Sequence, residues 1–159
     1  MKKLLLIGGV IIAIFILVVV LSKKSDEAKL KDNPYGTEML EQPTIDLIGN
    51  KNYSNIVLPD ALFKKIEAGE SVTAYYFHPT CQYCMQMTPV MMPIAKEMGV
   101  NVLQYNMLEF ADRVGEKTKY DIQNWPALVH YENGKEVGRM VGAQPEENIR
   151  KFFNEFEGK

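Results

Sequence analysis

The sequence predicts an α/β fold in which helices flank both faces of a mixed central β-sheet, preceded by an N-terminal transmembrane helix. Apolar runs that suit buried strands alternate with segments whose apolar residues recur every three or four positions, as on one face of a helix. The order begins strand–helix–strand–helix–strand and ends with two strands and a helix, which is typical of mixed sheets covered on both faces. A long uncharged apolar stretch opens the chain.

Each element of the folded domain has its own sequence signal. Proline or glycine marks the helix boundaries, and Asn133-Gly134 marks a hairpin turn between two short apolar runs. Thr88-Pro89 is expected to kink the second helix, because proline removes a backbone donor. The predicted strands are 55–58, 72–77, 100–107, 127–131 and 136–141. The predicted helices are 59–68, the segment from the first cysteine to a cap at Gly99, 110–120, and 144 or 145 to 156.

The apolar stretch at 4–21 predicts a membrane anchor. It carries no charge, and lysine pairs frame it on both sides. Eighteen residues rise about 27 Å as a helix, close to the ~30 Å hydrocarbon core of a bilayer. The alternative is a cleaved signal peptide, whose apolar region is usually shorter and ends in a small-residue site that 18–24 does not offer. We predict a cytoplasmic tail at 1–3, a single-pass anchor at 4–22, a linker at 23–52 and a folded domain at 53–159. The domain is expected on the extracytoplasmic side of the cytoplasmic membrane of a bacterial-type cell.

Length and charge limit the possible partners. A chain of 159 residues is long enough for one domain with a substantial core. Residues 1–24 hold four lysines, and the rest of the chain has 14 basic and 20 acidic residues. This acidic excess argues against nucleic acid as a partner and against electrostatic binding to anionic lipid.

The only two cysteines, Cys81 and Cys84, form a C-x-x-C motif where a predicted strand gives way to a predicted helix. Free backbone N–H groups and the helix dipole favour an anion at a helix N-terminus. The anionic form of cysteine is the thiolate, the nucleophile of disulfide exchange, so we expect Cys81 to be the attacking residue. Cys84 lies one helical turn further on, in reach of a mixed disulfide on Cys81.

Two other interpretations of the motif are weaker. A four-ligand zinc site needs a second pair of ligands, and the only histidines are His78 in the turn and His130 alone in a predicted strand. A purely structural disulfide closing so short a loop removes little entropy from the unfolded chain.

From about residue 56 to residue 156 the chain resembles thioredoxin. The resemblance rests on five features: the C-x-x-C after an apolar strand, Pro89 five residues past Cys84, Trp125-Pro126 before an apolar strand, Asn133-Gly134-Lys135 in a hairpin, and Val141-Gly142-Ala143 before the last helix. It implies a thioredoxin fold and a thiol–disulfide oxidoreductase with a redox-active Cys81–Cys84 disulfide. Neither a metal nor an organic cofactor is expected.

The resemblance also implies further site residues. Pro126 is expected to be a cis proline facing the disulfide, and the substrate-binding residues are expected to be Thr80, Trp125, Pro126 and Gly142. The supporting residues are His78, Tyr83 and Pro89. His78 is expected either to stabilise the Cys81 thiolate or to cap the end of the strand.

The chain departs from thioredoxin at several positions. The buried aspartate six residues before the first cysteine is replaced by Tyr75, and the lysine that pairs with it by Gln104. Thr80 stands where a tryptophan is usual, and Gln82-Tyr83 replaces Gly-Pro between the cysteines. Gln82-Tyr83 between the cysteines, positive charge on His78 and the loss of the aspartate at Tyr75 predict a pair more oxidising than thioredoxin's roughly −270 mV, at about −160 to −230 mV.

The expected function is therefore extracytoplasmic thiol–disulfide exchange on protein clients, in the oxidising or isomerising direction. A membrane or extracytoplasmic redox partner would recharge the pair. One alternative is a tethered reductase dedicated to a single client such as apocytochrome c. Another is a non-enzymatic export or chaperone accessory in which the cysteines are incidental.

Overall fold

The computed structural model describes residues 2–156, with the side chains of residues 7–156. Met1, in the predicted cytoplasmic tail, and residues 157–159, at the predicted end of the domain, lie outside the described residues. The chain divides into two compact units, with the division between Met39 and Leu40.

The first unit consists mainly of helix α1 (Lys2–Lys31). From Ile7 onward this helix is long and apolar enough to cross a membrane, a property that membrane anchors share with signal sequences. It runs past the apolar stretch into the predicted linker. The Asn33 side chain then accepts from the backbone N–H of Tyr35 at 2.8 Å, which begins a turn.

The second unit is built on a four-stranded sheet, ordered β2-β1-β3-β4. Its strands are β1 (Val72–Phe77), β2 (Val102–Asn106), β3 (Ala127–Glu132) and β4 (Lys135–Val141). β1 pairs with β2 in parallel and with β3 antiparallel, and β4 closes the hairpin with β3. The predicted mixed sheet is confirmed.

Helices cover both faces of this sheet. Helices α4 (Gln82–Glu97) and α6 (Glu146–Phe156) pack on one face, and α3 (Pro59–Glu67) packs on the other. All six residues of β1 are buried, because this central strand lies between the two apolar layers.

Two predicted elements are wrong. Segment 55–58 makes a single bridge, Ile56 to Gln104, instead of a strand. The predicted helix 110–120 is replaced by the short helix α5 (Met107–Phe110), a 3-10 turn (Ala111–Arg113) and irregular chain. Val114 has φ −131°, outside the helical region, so the helix ends before it.

The compact unit begins earlier than the boundary predicted at residue 53. Helix α2 (Gln42–Leu47) and a 3-10 turn (Lys51–Tyr53) precede the first predicted strand. Thr44, within α2, is fully buried and accepts a hydrogen bond from the Asn106 side chain at 3.0 Å. Residues 40–52 therefore pack as part of the domain, whereas the sequence predicts a solvated linker.

Candidate active site

The turn between β1 and α4 presents the first cysteine at the helix N-terminus. Cys81 is the N-cap residue of α4, with extended backbone angles, and its sulfur accepts from the backbone N–H of Cys84 at 3.4 Å. The Cys81 N–H donates to the His78 carbonyl at 3.0 Å, which closes the turn. The sulfur therefore occupies the place where a serine or aspartate oxygen usually satisfies a free helix N–H.

The two cysteines lie in different environments. Both are free thiols; Cys81 is half-buried, whereas Cys84 is 0% exposed. The Cys84 sulfur accepts from the backbone N–H of His78 at 3.5 Å. Burial raises the pKa of Cys84 to about 12, and that hydrogen bond opposes the rise. An incoming sulfur can therefore reach Cys81 from solvent, while Cys84 can be reached only through Cys81.

The loop before β3 faces the first cysteine. The Trp125–Pro126 peptide bond is cis, and the Cys81 thiol donates to the Trp125 carbonyl at 3.8 Å. Gly142, at the end of β4, donates its N–H to the Pro126 carbonyl at 2.8 Å. Its φ of +82° is a conformation that glycine adopts readily. Trp125, which is far from the cysteines in sequence, thus contacts Cys81, and the bond from Gly142 holds the adjoining Pro126 backbone.

His78 lies against the same loop as a neutral ring. Its Nδ1 accepts from the backbone N–H of Thr80 at 3.3 Å and lies 3.1 Å from the Thr80 hydroxyl. The imidazole stacks on the indole of Trp125, with 5.4 Å between ring centroids. Burial lowers the pKa of His78 below its usual value, which favours the neutral form near pH 7. The geometry supports the role of capping the strand end, the second of the two expected for His78.

The remaining predicted site residues, Tyr83 and Pro89, lie on α4. Tyr83, between the cysteines, is 62% exposed, and its neighbour Met85, which is outside the predicted site, is 50% exposed. α4 continues through Pro89 without a break. Tyr83 and Met85 give the molecule an apolar surface next to the half-buried sulfur.

The sequence analysis missed a cluster of buried hydroxyl groups near Cys84. The Tyr75 and Thr88 hydroxyls lie 2.9 Å apart, and the Thr88 hydroxyl donates to the Cys84 carbonyl at 2.7 Å. Tyr53 belongs to the same buried cluster as Cys84, with its ring 5.0 Å from the Phe77 ring. Tyr75 was noted only as the replacement of an aspartate. That position, six residues before Cys81, was the one signal in the sequence that pointed to this cluster.

The described residues contain no cluster of side chains that could serve as metal ligands. In residues 2–156, no group of three or more His, Cys, Asp and Glu side chains is placed to hold an ion. The chemistry at this site rests on the two thiols and the groups around them.

A half-buried thiol at a helix N-terminus beside a buried thiol, facing a cis proline, defines a C-x-x-C dithiol oxidoreductase site. The thioredoxin family profile matches residues 54–155 of this chain. The chain therefore belongs to the thioredoxin family, whose members are thiol–disulfide oxidoreductases acting on protein thiols.

Individual relatives agree with this assignment. Thioredoxin from Buchnera aphidicola is 27% identical over 101 residues, which cover 62% of this chain and 92% of that protein. Thioredoxin from Staphylococcus aureus is 26% identical over 102 residues, covering 62% of this chain and 94% of that protein.

Solved structures confirm the thioredoxin fold. Thioredoxin f2 from Chlamydomonas reinhardtii superposes with a TM-score of 0.56 at 18% identity, covering 65% of this chain and 96% of that one. Mitochondrial thioredoxin 3 from Saccharomyces cerevisiae, in its oxidised form, gives 0.54 at 16% identity, covering 69% of this chain and 100% of that one.

Proposed function

We propose that this chain is a membrane-anchored oxidoreductase that exchanges disulfides with protein clients outside the cytoplasm, in the oxidising or isomerising direction. The observation that carries the proposal is the contrast between the half-buried Cys81 at the helix N-terminus and the fully buried Cys84 behind it. One thiol meets the client, and the other is reserved for the internal step.

In this mechanism Cys81 forms the mixed disulfide and Cys84 resolves it. When a client disulfide is reduced, the Cys81 thiolate attacks one client sulfur and the other leaves. Cys84 then attacks Cys81, so that the Cys81–Cys84 bond forms as the Cys81–client bond breaks. When a client is oxidised the same steps run in reverse, starting from the Cys81–Cys84 disulfide and a client thiolate.

The surface around Cys81 suits an extended client segment. The Trp125 carbonyl contacts the Cys81 sulfur, Thr80 bonds to the His78 ring that stacks on Trp125, and Gly142 bonds to Pro126. Exposed Tyr83 and Met85 add an apolar rim that accommodates different client side chains. We assign substrate binding to Thr80, Trp125, Pro126 and Gly142.

The anchoring part of the proposal rests on α1. Its described apolar part is long enough to span a bilayer, and a tethered domain would meet clients and a redox partner at the membrane. A reporter fused after Lys159 should be active only outside the cytoplasm, and the full-length chain should stay in the membrane fraction. Cytoplasmic reporter activity, or release of a shortened chain, would overturn the anchored topology.

The direction of exchange is tested by the redox potential. The lowered pKa of His78 weakens one argument for an oxidising pair, because a neutral imidazole supplies no positive charge to the Cys81 thiolate. Two departures from thioredoxin remain, Tyr75 for the buried aspartate and Gln82-Tyr83 between the cysteines. Equilibration of the full chain with glutathione buffers should give a potential of about −160 to −230 mV. A value below roughly −270 mV would instead favour the dedicated reductase.

Client trapping tests the exchange function directly. A Cys84→Ala variant should accumulate mixed disulfides through Cys81, seen as high-mass species that collapse on addition of a reductant. A Cys81→Ser/Cys84→Ala variant is the matched control and should trap nothing. If Cys81→Ser preserved the cellular function, the cysteines would be incidental and the accessory hypothesis would replace this one.

A further inference from the structure

Three hydroxyl groups from different parts of the chain converge near the second cysteine. Tyr75 comes from β1, Thr88 from α4, and Tyr53 from the 3-10 turn that lies just before the family-matched region. All three are buried, and Tyr75 and Thr88 are completely so. The Tyr53 ring is held at 5.0 Å from the ring of Phe77, at the end of β1.

The hydrogen atoms in this cluster can be assigned by counting donors. The Thr88 hydroxyl has one hydrogen, and it donates to the Cys84 carbonyl. The Tyr75 hydroxyl, 2.9 Å away, must therefore donate to Thr88 while both cysteines are thiols. Tyr75 and Cys84 belong to the same buried cluster, and Thr88 joins the Tyr75 hydroxyl to the Cys84 carbonyl, so the phenol and the second cysteine are close neighbours. The Cys84 sulfur thus offers the phenolic hydrogen a second acceptor.

Tyr75 can act only as a donor in this position. Burial raises the pKa of its hydroxyl far above the usual value, so the phenol stays protonated at any physiological pH. A phenol held neutral cannot remove a proton from Cys84, which is what a buried carboxylate at this position could do. It can donate to a sulfur that has already become negative.

We propose that the Tyr75 hydroxyl turns from Thr88 to the Cys84 sulfur when that sulfur becomes a thiolate, and stabilises it by donating a hydrogen bond. The same bond serves both directions, because Cys84 is the attacking thiolate when a client is reduced and the leaving thiolate when a client is oxidised. The neutral Tyr75 hydroxyl, a hydrogen-bond donor, thus stands where thioredoxin has an aspartate that accepts a proton. This inference rests on the proposed roles of Cys81 and Cys84.

The step balances with solvent water as the only proton acceptor and donor. In reduction of a client, Cys84 gives its proton to solvent and its thiolate attacks Cys81. The Cys81–client bond breaks, and the departing client thiolate takes up one proton from solvent. The protein dithiol is oxidised by two electrons and the client disulfide is reduced by two. Tyr75 keeps its own proton throughout.

Tyr75→Phe tests the proposal, because it deletes the hydroxyl and keeps the ring that packs beside Phe77. The measurement is a single turnover of the full-length reduced protein in detergent with a peptide disulfide carrying a fluorophore. Formation of the mixed disulfide and its resolution appear as two phases. Resolution at pH 8 should slow about tenfold or more, the size expected when a hydrogen bond to a charged sulfur is lost, while the first phase stays unchanged.

Tyr76→Phe is the matched control. It also deletes a fully buried hydroxyl from β1, but that hydroxyl bonds to Tyr131, 2.9 Å away, and makes no contact with the cysteines. Both phases should keep their wild-type rates. Thr88→Val adds a second comparison: it removes the resting partner of Tyr75 and leaves the donor, so resolution should slow less than in Tyr75→Phe.

The outcomes separate this inference from the function beneath it. If Tyr75→Phe resolves the mixed disulfide at the wild-type rate, the donor role is wrong and the exchange mechanism stands. If both phases slow equally in Tyr75→Phe and Tyr76→Phe, the effect is general loosening of β1 and the inference fails. If the wild type forms no mixed disulfide through Cys81, the proposed function itself fails.

Discussion

Tyr75 and Tyr76 are neighbours on β1, and each lies on a different face of the sheet. Both are completely buried, and both bond through their hydroxyl to another buried hydroxyl. Tyr75 belongs to the apolar layer that contains Cys84, whereas Tyr76 belongs to the layer formed with α3. Equal burial and equal bonding therefore do not give equal roles; the side of the strand decides which tyrosine meets the reacting sulfur.

The two layers differ in the same way. The layer beneath α4 and α6, here called the site layer, holds Cys84 and Thr88 among methionine and phenylalanine side chains. The layer beneath α3, here called the support layer, contains no cysteine. Its Tyr76 and Tyr131 hydroxyls bond to each other and its Tyr105 hydroxyl bonds to the backbone, whereas the buried Tyr120 hydroxyl makes neither kind of bond. We expect substitutions in the support layer to change stability, and substitutions near Cys84 to change chemistry as well.

The largest expected effect is on the support layer. Leu62 of α3 is 0% exposed, so Leu62→Ala should lower the free energy of unfolding by about 2–5 kcal/mol. The exchange rate of the folded protein at low temperature should not change. Urea unfolding measures the free energy of unfolding, and a single-turnover experiment measures the exchange rate. If Leu62→Ala slowed exchange as much as a substitution in the site layer does, the two layers would not differ in function.

A smaller effect is expected where the edge strand meets the last helix. A Cβ on Gly138 of β4 would overlap the ring of Phe156, which stacks on His130 with centroids 5.1 Å apart. Gly138→Ala should therefore displace that ring and lower stability by about 1–3 kcal/mol. Val137→Ala, at an exposed neighbouring position, is the control for thermal unfolding. Equal melting temperatures for the two variants would contradict the packing argument.

Tyr76→Phe should cost less again. It leaves the Tyr131 hydroxyl without its 2.9 Å partner inside the support layer, at a cost of about 1–2 kcal/mol. Because this hydroxyl is remote from both thiols, the pH profile of exchange should match the wild type. Tyr75→Phe and Tyr76→Phe each remove one buried hydroxyl from β1, so they are the most direct comparison of the two layers. A slower resolving step in Tyr76→Phe would show that the two tyrosines do not differ in role.

The smallest expected effect depends on pH and belongs to His78, at the end of β1. Burial lowers the pKa of His78 in the folded state below the unfolded value of about 6.5. Between these two pKa values the unfolded chain therefore binds more protons than the folded chain. The contribution of His78 to stability is present above pH 6.5 and is lost as pH falls toward the folded pKa. Urea unfolding from pH 7.5 to 5.5 should show the wild type losing stability relative to His78→Gln. Parallel curves would mean that the imidazole is not held neutral.

Periodicity and turn signals were sufficient for the centre of the molecule. The buried strand 72–77, the C-x-x-C at the start of α4, and the Asn133-Gly134 hairpin all lie where the sequence predicted them. These segments combine strong apolar runs with turn residues that allow few conformations. The apolar runs and turn residues of these segments are therefore sufficient to predict their secondary structure.

The errors occur where contacts and turns that periodicity does not report decide the backbone. The Gln104 side chain accepts from the Asn55 N–H at 3.0 Å, and the Asn55 side chain donates to the Val102 carbonyl at 2.7 Å, so segment 55–58 is tied to β2 partly through side chains and forms only one bridge. In segment 110–120 the backbone leaves the helical region at Val114, and Gly115 and the positive φ of Lys117 keep the chain irregular beyond it. The spacing of the apolar residues reports neither the side-chain contacts of Asn55 and Gln104 nor this change of backbone.

The same limit applies to the site. The positions of the two thiols follow from their spacing and from the helix that begins at Cys81. Tyr53 and Thr88 approach Cys84 only because the sheet, α4 and the preceding turn come together, and residues 40–53 were predicted to lie mostly in a linker. The packing of the His78 ring likewise involves Trp125, which is remote in sequence.

The stacking of His78 on Trp125 gives the protein an intrinsic optical signal. Trp125 is the only tryptophan, its indole lies against an imidazole, and its carbonyl contacts the Cys81 sulfur. Disulfides and protonated imidazoles both quench indole emission at short range, so fluorescence should report the oxidation state of the pair without any label. Reduction should change the emission of the wild type and leave a Cys81→Ser/Cys84→Ser variant unchanged. A protein with one emitter beside its reactive sulfur can thus be followed in real time during turnover.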